Sequence, residues 1–60
     1  MTKLKKQRLL NHKKLREIAD IVGVTPATVH DAEVRGLKTV KSTKKYAVAF
    51  PECSWQDLID

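Results

Sequence analysis

The segment Leu15–Val34 (LREIADIVGVTPATVHDAEV) constrains the fold more than any other part of this chain. Its small and apolar residues have the spacing of two short helices that cross closely over a tight turn. These residues are Ile18, Ala19, Val22, Gly23, Val24, Val29 and Ala32. Ala19 leaves room for the second helix, and Gly23 suits the positive φ of the turn. The segment therefore predicts a helix-turn-helix unit.

The chain is short and basic, and its charge is unevenly distributed. It has 60 residues, with 12 Lys and Arg against 7 Asp and Glu, a net charge of +5. We expect one domain over residues 1–60 that gains stability from a partner, since so small a domain buries only ~60% of its unfolded surface. Residues 1–16 contain no acid, and a second basic cluster comprises Lys38, Lys41, Lys44 and Lys45. This asymmetry favours nucleic acid or an anionic membrane as partner, although a solvated lysine-rich surface explains the charge equally well.

Several classes of site and location are disfavoured by the sequence. No apolar run approaches the ~18 residues of a membrane span and no secretion signal is visible, so we expect a cytoplasmic location and no membrane partner. The single cysteine, Cys53, has no partner for an internal disulfide, and we expect a buried structural thiol. With His12 and His30 it makes no metal-ligand spacing, so we expect neither a metal nor a cofactor. No separate effector domain fits into 60 residues, so no small-molecule ligand is expected either.

Local start and stop signals predict the first two helices. Thr2–Leu10 carries leucines among basic residues, which indicates an amphipathic helix followed by a short turn. Its leucines are Leu4, Leu9 and Leu10, and the turn residues are Asn11 and His12. The second helix is expected over about Lys14–Val22, because Gly23 suits a helix C-cap.

The third helix has a well-marked start. Thr25 is a preferred N-cap, and Pro26 follows at the first helical position, where a missing N–H loses no hydrogen bond. We expect this helix to run to about Val34 and to be ended by Gly36. A basic linker, Leu37–Lys41, is expected next, although its first four residues also fit a strand.

Two further helices are predicted in the remainder of the chain. The fourth covers Lys44–Phe50 and ends before Pro51. Its candidate caps are Ser42 and Thr43, and its candidate core residues are Tyr46, Ala47, Ala49 and Phe50. Ser54 and Asp57 have the spacing of a capping box, which indicates a short final helix over Trp55–Ile59. Its Trp, Leu and Ile side chains are expected to close the core.

These residues together resemble the Cro and repressor proteins of bacteriophages, the Cro/C1-type or XRE helix-turn-helix family. The resemblance covers nearly the whole chain. It rests on an arginine late in helix 1, an Ala-x-x-x-Gly turn, a glutamate ending helix 3, an apolar-Ala-x-Ala-apolar helix and a final Trp and Leu. In this chain these residues are Arg8, Ala19, Gly23, Glu33, Tyr46, Ala47, Ala49, Phe50, Trp55 and Leu58.

The resemblance implies a compact all-α domain of four to five helices, lambda-repressor-like in fold. It implies a transcriptional regulator, bacterial or encoded by a phage or mobile element, that binds double-stranded DNA at a near-palindromic operator as a homodimer. Leu37, Val40, Phe50 and the C-terminal segment are candidate dimer contacts or simply core. The resemblance also implies an internal ion pair between Arg8 and Glu33.

The recognition helix would be Thr25–Val34, with its N-terminal part toward the bases. Candidate base contacts are Thr25, Pro26, Ala27, Thr28, His30 and Asp31, while Val29 and Ala32 point inward. The segment contains no Arg, Lys, Asn or Gln, the types that most often read guanine and adenine. We therefore expect sparse hydrogen bonding to bases, with apolar contacts and DNA shape contributing.

Contacts to DNA phosphates are expected on both sides of the recognition helix. One set lies at the start of helix 2 and comprises Lys13, Lys14 and Arg16. The other lies just beyond the recognition helix and comprises Arg35, Lys38 and Lys41. For each of these residues a purely solvated role is equally open.

Two other functions are compatible with the sequence. One is a DNA-binding accessory protein for excision, conjugation or plasmid maintenance. The other is a protein-interaction module without DNA binding, to which the sparse recognition face gives some weight. An enzyme is not expected, because no nucleophile–base arrangement, phosphate-binding glycine loop or paired catalytic carboxylates are visible, and so short a chain has little room for a deep pocket.

Overall fold

Helices form all of the regular structure, which confirms the all-α fold class. The computed structural model describes all 60 residues, Met1–Asp60. The helices are α1 (Lys3–Leu10), α2 (Leu15–Val22), α3 (Pro26–Arg35) and α4 (Val40–Ala47), followed by a single 3-10 turn, Trp55–Asp57. One isolated parallel bridge joins Leu37 to Ile59. The strand alternative for the linker is therefore reduced to a single pairing.

One hydrophobic core lies between the four helices and the 3-10 turn. Its buried members are Leu4, Ile18, Ala19, Val29, Leu37, Tyr46, Ala49, Phe50 and Leu58. Leu37 and Phe50, considered from the sequence as dimer contacts, are 4% and 1% exposed and belong to this core. Val40 is 44% exposed and remains available at the surface.

The predicted start of the fourth helix was wrong by four residues. Helix α4 begins at Val40, and its N-cap is Thr39, whose hydroxyl accepts from the Ser42 N–H at 3.2 Å. Neither predicted cap has that role: Ser42 lies in the first turn, and the fully buried Thr43 donates its hydroxyl to the Thr39 carbonyl at 2.6 Å. The helix also ends earlier than expected, at Ala47. The linker therefore shrinks to Gly36, Leu37 and Lys38, the three residues between α3 and the Thr39 cap.

The expected apolar faces of the first and last helices are also narrower than predicted. In α1 only Leu4 is buried, while Leu9 and Leu10 are 45% and 62% exposed. At about 100° per residue, neither shares a face with Leu4. The predicted final helix is one 3-10 turn in which Leu58 is buried but Trp55 is only half-buried, with the Lys44 Nζ 5.7 Å from its ring centroid.

Candidate nucleic-acid interface

The turn between α2 and α3 is built on one glycine. Gly23 has φ +86°, in the left-handed region, and its N–H donates to the Ala19 carbonyl at 2.8 Å. The Val24 N–H donates to the same carbonyl at 3.0 Å. A Cβ at Gly23 would meet no atom within 4 Å, so the backbone angle rather than lack of space requires glycine. This turn fixes the angle at which the chain enters α3.

The first turn of α3 is held by two threonines. The Thr25 hydroxyl accepts from the Thr28 N–H at 3.2 Å, and the two hydroxyl oxygens lie 2.9 Å apart. Pro26 occupies the first helical position, as predicted. Because the threonines bond to each other, each has less hydrogen-bonding capacity left for a DNA base than its exposure suggests.

The outward face of α3 contains all the candidate base contacts. All six are exposed: Thr25, Pro26, Ala27, Thr28, His30 and Asp31. Val29 is fully buried and Ala32 half-buried, in agreement with their predicted inward orientation. The Asp31 carboxylate is not isolated, because the Arg35 Nε lies 3.1 Å from it one turn further along the helix. That exposed pair lowers the repulsion that a lone carboxylate would exert on a phosphate.

His30 lies at the edge of this outward face. It lines a cleft of about 400 Å³ between α3 and the start of α1, together with Met1, Thr2, Lys5, Glu33, Val34 and Asp60. Val34 is 67% exposed, so the outward face of α3 continues with an apolar residue beyond the candidate base contacts.

The C-terminal half of α3 is anchored to α1 by an ion pair. The Arg8 guanidinium meets the Glu33 carboxylate with two nitrogens, Nε on one oxygen and Nη2 on the other at 3.2 Å. Their side chains are 14% and 2% exposed. The remaining guanidinium nitrogen, Nη1, donates to the Lys13 carbonyl at 3.1 Å. The pair implied by the resemblance is therefore present, and it also binds the loop before α2.

Basic residues flank α3 on the side of α2. Lys14 and Arg16 are exposed at the start of α2, and Lys13 just before them is half-buried. The Lys14 N–H is bonded to the Glu17 carboxylate at 3.1 Å, so an acid already occupies the N-terminus of α2. Phosphate binding here would therefore depend on the side chains of Lys14 and Arg16 rather than on the end of the helix.

A polar groove lies on the other flank, between the end of α3 and the start of α4. It has a volume of about 480 Å³ and is lined by Arg35, Gly36, Leu37, Lys38, Thr39 and Ser42. Lys41 is exposed in the first turn of α4, and neither α3 nor α4 has an acid in its first turn. A helix N-terminus carries partial positive charge, so the groove combines that charge with basic side chains.

Thr39 and Ser42 of this groove were not assigned to the site from the sequence. The missed signal was the cap itself: Thr39 stands three residues before Ser42, at the spacing of an N-cap and its N–H partner. With the helix start placed there, Lys41 moves from a linker into the first helical turn. Asp60 was missed as well, because no local pattern links it to α1 or α3.

A tyrosine connects the outward face of α3 to the core. Tyr46 on α4 is buried, and this burial raises the pKa of its phenol above the ordinary value. The negative charge of Asp31 raises that pKa further. The pKa of this phenol therefore depends on the charge of Asp31 as well as on burial.

The chain contains no cluster of metal-ligating side chains and no membrane-spanning helix. No three side chains among His, Cys, Asp and Glu come together as a metal-binding group. Cys53 is half-buried rather than buried, and its thiol donates to the Gln7 side-chain oxygen at 3.3 Å. None of the helices is both long enough and apolar enough to cross a membrane. Comparison with protein-family models, curated proteins and solved structures finds no match to this chain.

Proposed function

We propose that this chain binds double-stranded DNA with α3 in the major groove and regulates transcription in the manner of Cro and repressor proteins. The observation that carries the proposal is the geometry of α3. Its N-terminal half is exposed on the outward face, while its C-terminal half is anchored through the buried Glu33. A helix with an exposed N-terminal face and an anchored C-terminal half suits insertion into a groove wide enough for a helix.

Basic groups on both flanks of α3 supply the phosphate contacts in this proposal. Lys14 and Arg16 flank it at α2, and the polar groove with Lys38 and Lys41 flanks it at α4. Contacts of this kind fix the position of a protein on the duplex without reading sequence. They also make binding strongly dependent on salt, because each neutralised phosphate releases counterions.

The base contacts in this proposal are few. Ala27 offers a methyl group to thymine, and the paired threonines offer limited hydrogen bonding. Asp31 can accept from the cytosine amino group, although its bond to Arg35 competes. We therefore propose modest sequence preference, with DNA shape contributing to it.

A homodimer on a two-fold symmetric site completes the proposal. Two copies would place their α3 helices in major grooves about one helical turn apart, which mirrors the symmetry of the site. Of the three single residues that are candidate dimer contacts, only Val40 has substantial exposure, whereas Leu37 and Phe50 are core; the C-terminal segment also contains exposed residues. The stoichiometry on a selected duplex tests this directly.

The central test is the salt dependence of DNA affinity. Fluorescence anisotropy with labelled duplex DNA at several salt concentrations should give log Kd rising with log[salt], with a slope of roughly 0.9 for each phosphate contact. Lys38→Gln should lower that slope by about one contact. Lys6→Gln is the matched control, since Lys6 is an exposed lysine of α1 that lines neither cleft nor groove. A slope near zero for the parent protein would refute the proposal.

Selection of bound duplexes from a random pool distinguishes a regulator from an accessory protein. A two-fold symmetric consensus supports the regulator. The threonine pair and the Asp31–Arg35 pair reduce the groups available to bases, and this favours an accessory protein as the second candidate. Enrichment of A/T-rich DNA without a consensus would select that candidate.

A further inference from the structure

Asp60 lies where three parts of the molecule meet. Its Oδ1 accepts from the Lys3 N–H, at the start of α1, at 3.2 Å. Its own N–H donates to the Leu37 carbonyl, just beyond α3, at 2.8 Å. Its carboxylate also covers Gly36, where a Cβ would lie 2.5 Å from Oδ2. One residue therefore contacts the first turn of α1, the C-cap of α3 and the linker to α4.

The charge of Asp60 suits this position. Helix α1 has no acid in its first turn and carries Lys3 and Lys5 there, so its positive N-terminus has no carboxylate of its own. Asp60 supplies one from a distant part of the chain. In the same region Thr2, the N-cap of α1, donates its hydroxyl to the Glu33 carbonyl of α3 at 2.6 Å. Thr2 and Asp60 thus connect one helix start to the last turns of the proposed recognition helix.

Gly36 makes the contact possible. Its φ is +84°, and its N–H donates to the Ala32 carbonyl of α3 at 2.8 Å. A Cβ added at Gly36 would clash with the Asp60 carboxylate, whereas a Cβ added at Gly23 would meet no atom within 4 Å. The absence of a side chain at Gly36 is therefore required for both the backbone angle and the close approach of Asp60.

We infer that Asp60 is a positioning residue for DNA binding, which fixes the end of α3 and the following polar groove relative to α1. This inference rests on the proposed function. The mechanism is mechanical: the side-chain bond to the Lys3 N–H and the backbone bond to the Leu37 carbonyl link the start of α1 to the chain just beyond the α3 C-cap. The groove that begins at Arg35 then keeps a fixed distance from the exposed first turn of α3. A duplex that contacts both the groove and the first turn of α3 would bind groups that already have their bound positions. Binding would then not cost the free energy of ordering them.

The first experiment measures this role without DNA. Gly23 and Gly36 each donate an N–H to a carbonyl four residues earlier at 2.8 Å, so they form an internal matched pair. In Asp60→Ala we expect hydrogen exchange of the Gly36 amide to accelerate about two- to fivefold relative to the Gly23 amide, the scale of a carboxylate–helix interaction. If exchange of both amides accelerates equally, or if exchange of neither amide accelerates, the inference is overturned.

A double-mutant cycle tests the contact between Asp60 and Gly36. Gly36→Ala in the parent protein both strains φ and displaces the carboxylate. In the Asp60→Ala background the carboxylate clash is gone and only the φ strain and a 3.3 Å approach to the Cβ of residue 60 remain, so the same substitution should lower the folding constant by a smaller factor. Additive effects would show that the two residues do not act together, and would overturn the inference.

Affinity for duplex DNA tests whether Asp60 contributes to DNA binding, and it is measured at a temperature where every variant is folded. The probe is the selected duplex, or mixed-sequence duplex if no consensus emerges. Asp60→Ala should raise Kd roughly threefold or more if positioning is lost, whereas Asp60→Asn, which keeps an acceptor for Lys3, should restore affinity. If Asp60 acts only as a negative charge, both variants should bind more tightly, and the inference fails. A parent protein that binds no DNA refutes the proposed function instead, and the exchange experiment then decides the structural role of Asp60 alone.

Discussion

The two ends of α3 are held in different ways. At its start, the only polar side-chain contacts are local, between Thr25 and Thr28. At its end, α1 contributes an ion pair to Glu33 and a hydroxyl to the Glu33 carbonyl, and Asp60 covers the C-cap. The difference shows that the polar side-chain anchors of α3 are concentrated away from its exposed first turn, although the buried Val29 packs this half of the helix into the core. Sequence changes on the exposed face of α3 should therefore have small effects on stability.

The largest effect is expected at the anchored end. Glu33→Ala leaves the Arg8 guanidinium without its partner in a mostly buried position, and removing one member of a buried pair costs about 3–5 kcal/mol. We expect a loss of that order in the free energy of unfolding, measured by chemical denaturation. Glu33→Gln keeps an acceptor of similar size and should lose less. A loss no larger than that of Asp31→Ala would remove the contrast between the two ends.

A smaller effect is expected at the free end. Thr25→Ala removes the N-cap of α3 and should lower the free energy of unfolding by about 1 kcal/mol. Thr2→Ala is the matched comparison, because Thr2 caps α1 and also bonds the Glu33 carbonyl. The loss at Thr2 should exceed the loss at Thr25. Equal losses would indicate that the bond between Thr2 and α3 contributes nothing measurable.

Elements with local signals were predictable, and those defined by distant contacts were not. Gly23 and the Thr25–Pro26 pair mark the turn and the start of α3 within a few residues, and both agree with the structure. Leu37 gave no such signal, since its burial depends on pairing with Ile59 far along the chain. The start of α4 was missed because three neighbouring hydroxyl residues offered competing caps.

The candidate site was predictable to a similar degree. Helical periodicity predicted which α3 residues are exposed, and the structure agrees. Asp31 and Arg35 have the four-residue spacing of a helical ion pair, and the structure contains that pair. The position of Asp60 over Gly36 required the folded chain, because it joins segments with no pattern in common.

The buried Tyr46 on α4 should make the stability of the protein depend on pH under alkaline conditions. Because burial raises the pKa of Tyr46 in the folded state, folding favours the protonated phenol. The corresponding stability is fully present below the unfolded pKa of about 10 and is lost as the pH rises through the higher folded pKa. Tyr46 is the only tyrosine, so tyrosinate absorbance reports it directly. A titration midpoint at or below that of the unfolded chain would contradict this prediction.

The smallest effect is expected for the exposed Asp31–Arg35 ion pair on the outward face of α3. Asp31→Asn breaks a bond to Arg35 whose partners are 59% and 77% exposed, and exposed pairs of this spacing contribute about 0.3–0.5 kcal/mol. The free energy of unfolding should therefore fall by no more than that. The same substitution removes the charge that adds to the Tyr46 pKa, so the tyrosinate midpoint should move down towards the ordinary value without reaching it. Burial, the larger cause, remains.

The matched control for that measurement is Arg35→Gln. It breaks the same bond but leaves the carboxylate, so the Tyr46 midpoint should not fall. If the two variants lower the midpoint equally, the charge of Asp31 does not act on the phenol directly. If Asp31→Asn instead destabilises the protein as much as Glu33→Ala, the start of α3 is held as firmly as its end. The outward face would then be part of the scaffold, and its freedom to meet a DNA groove would lose its structural basis.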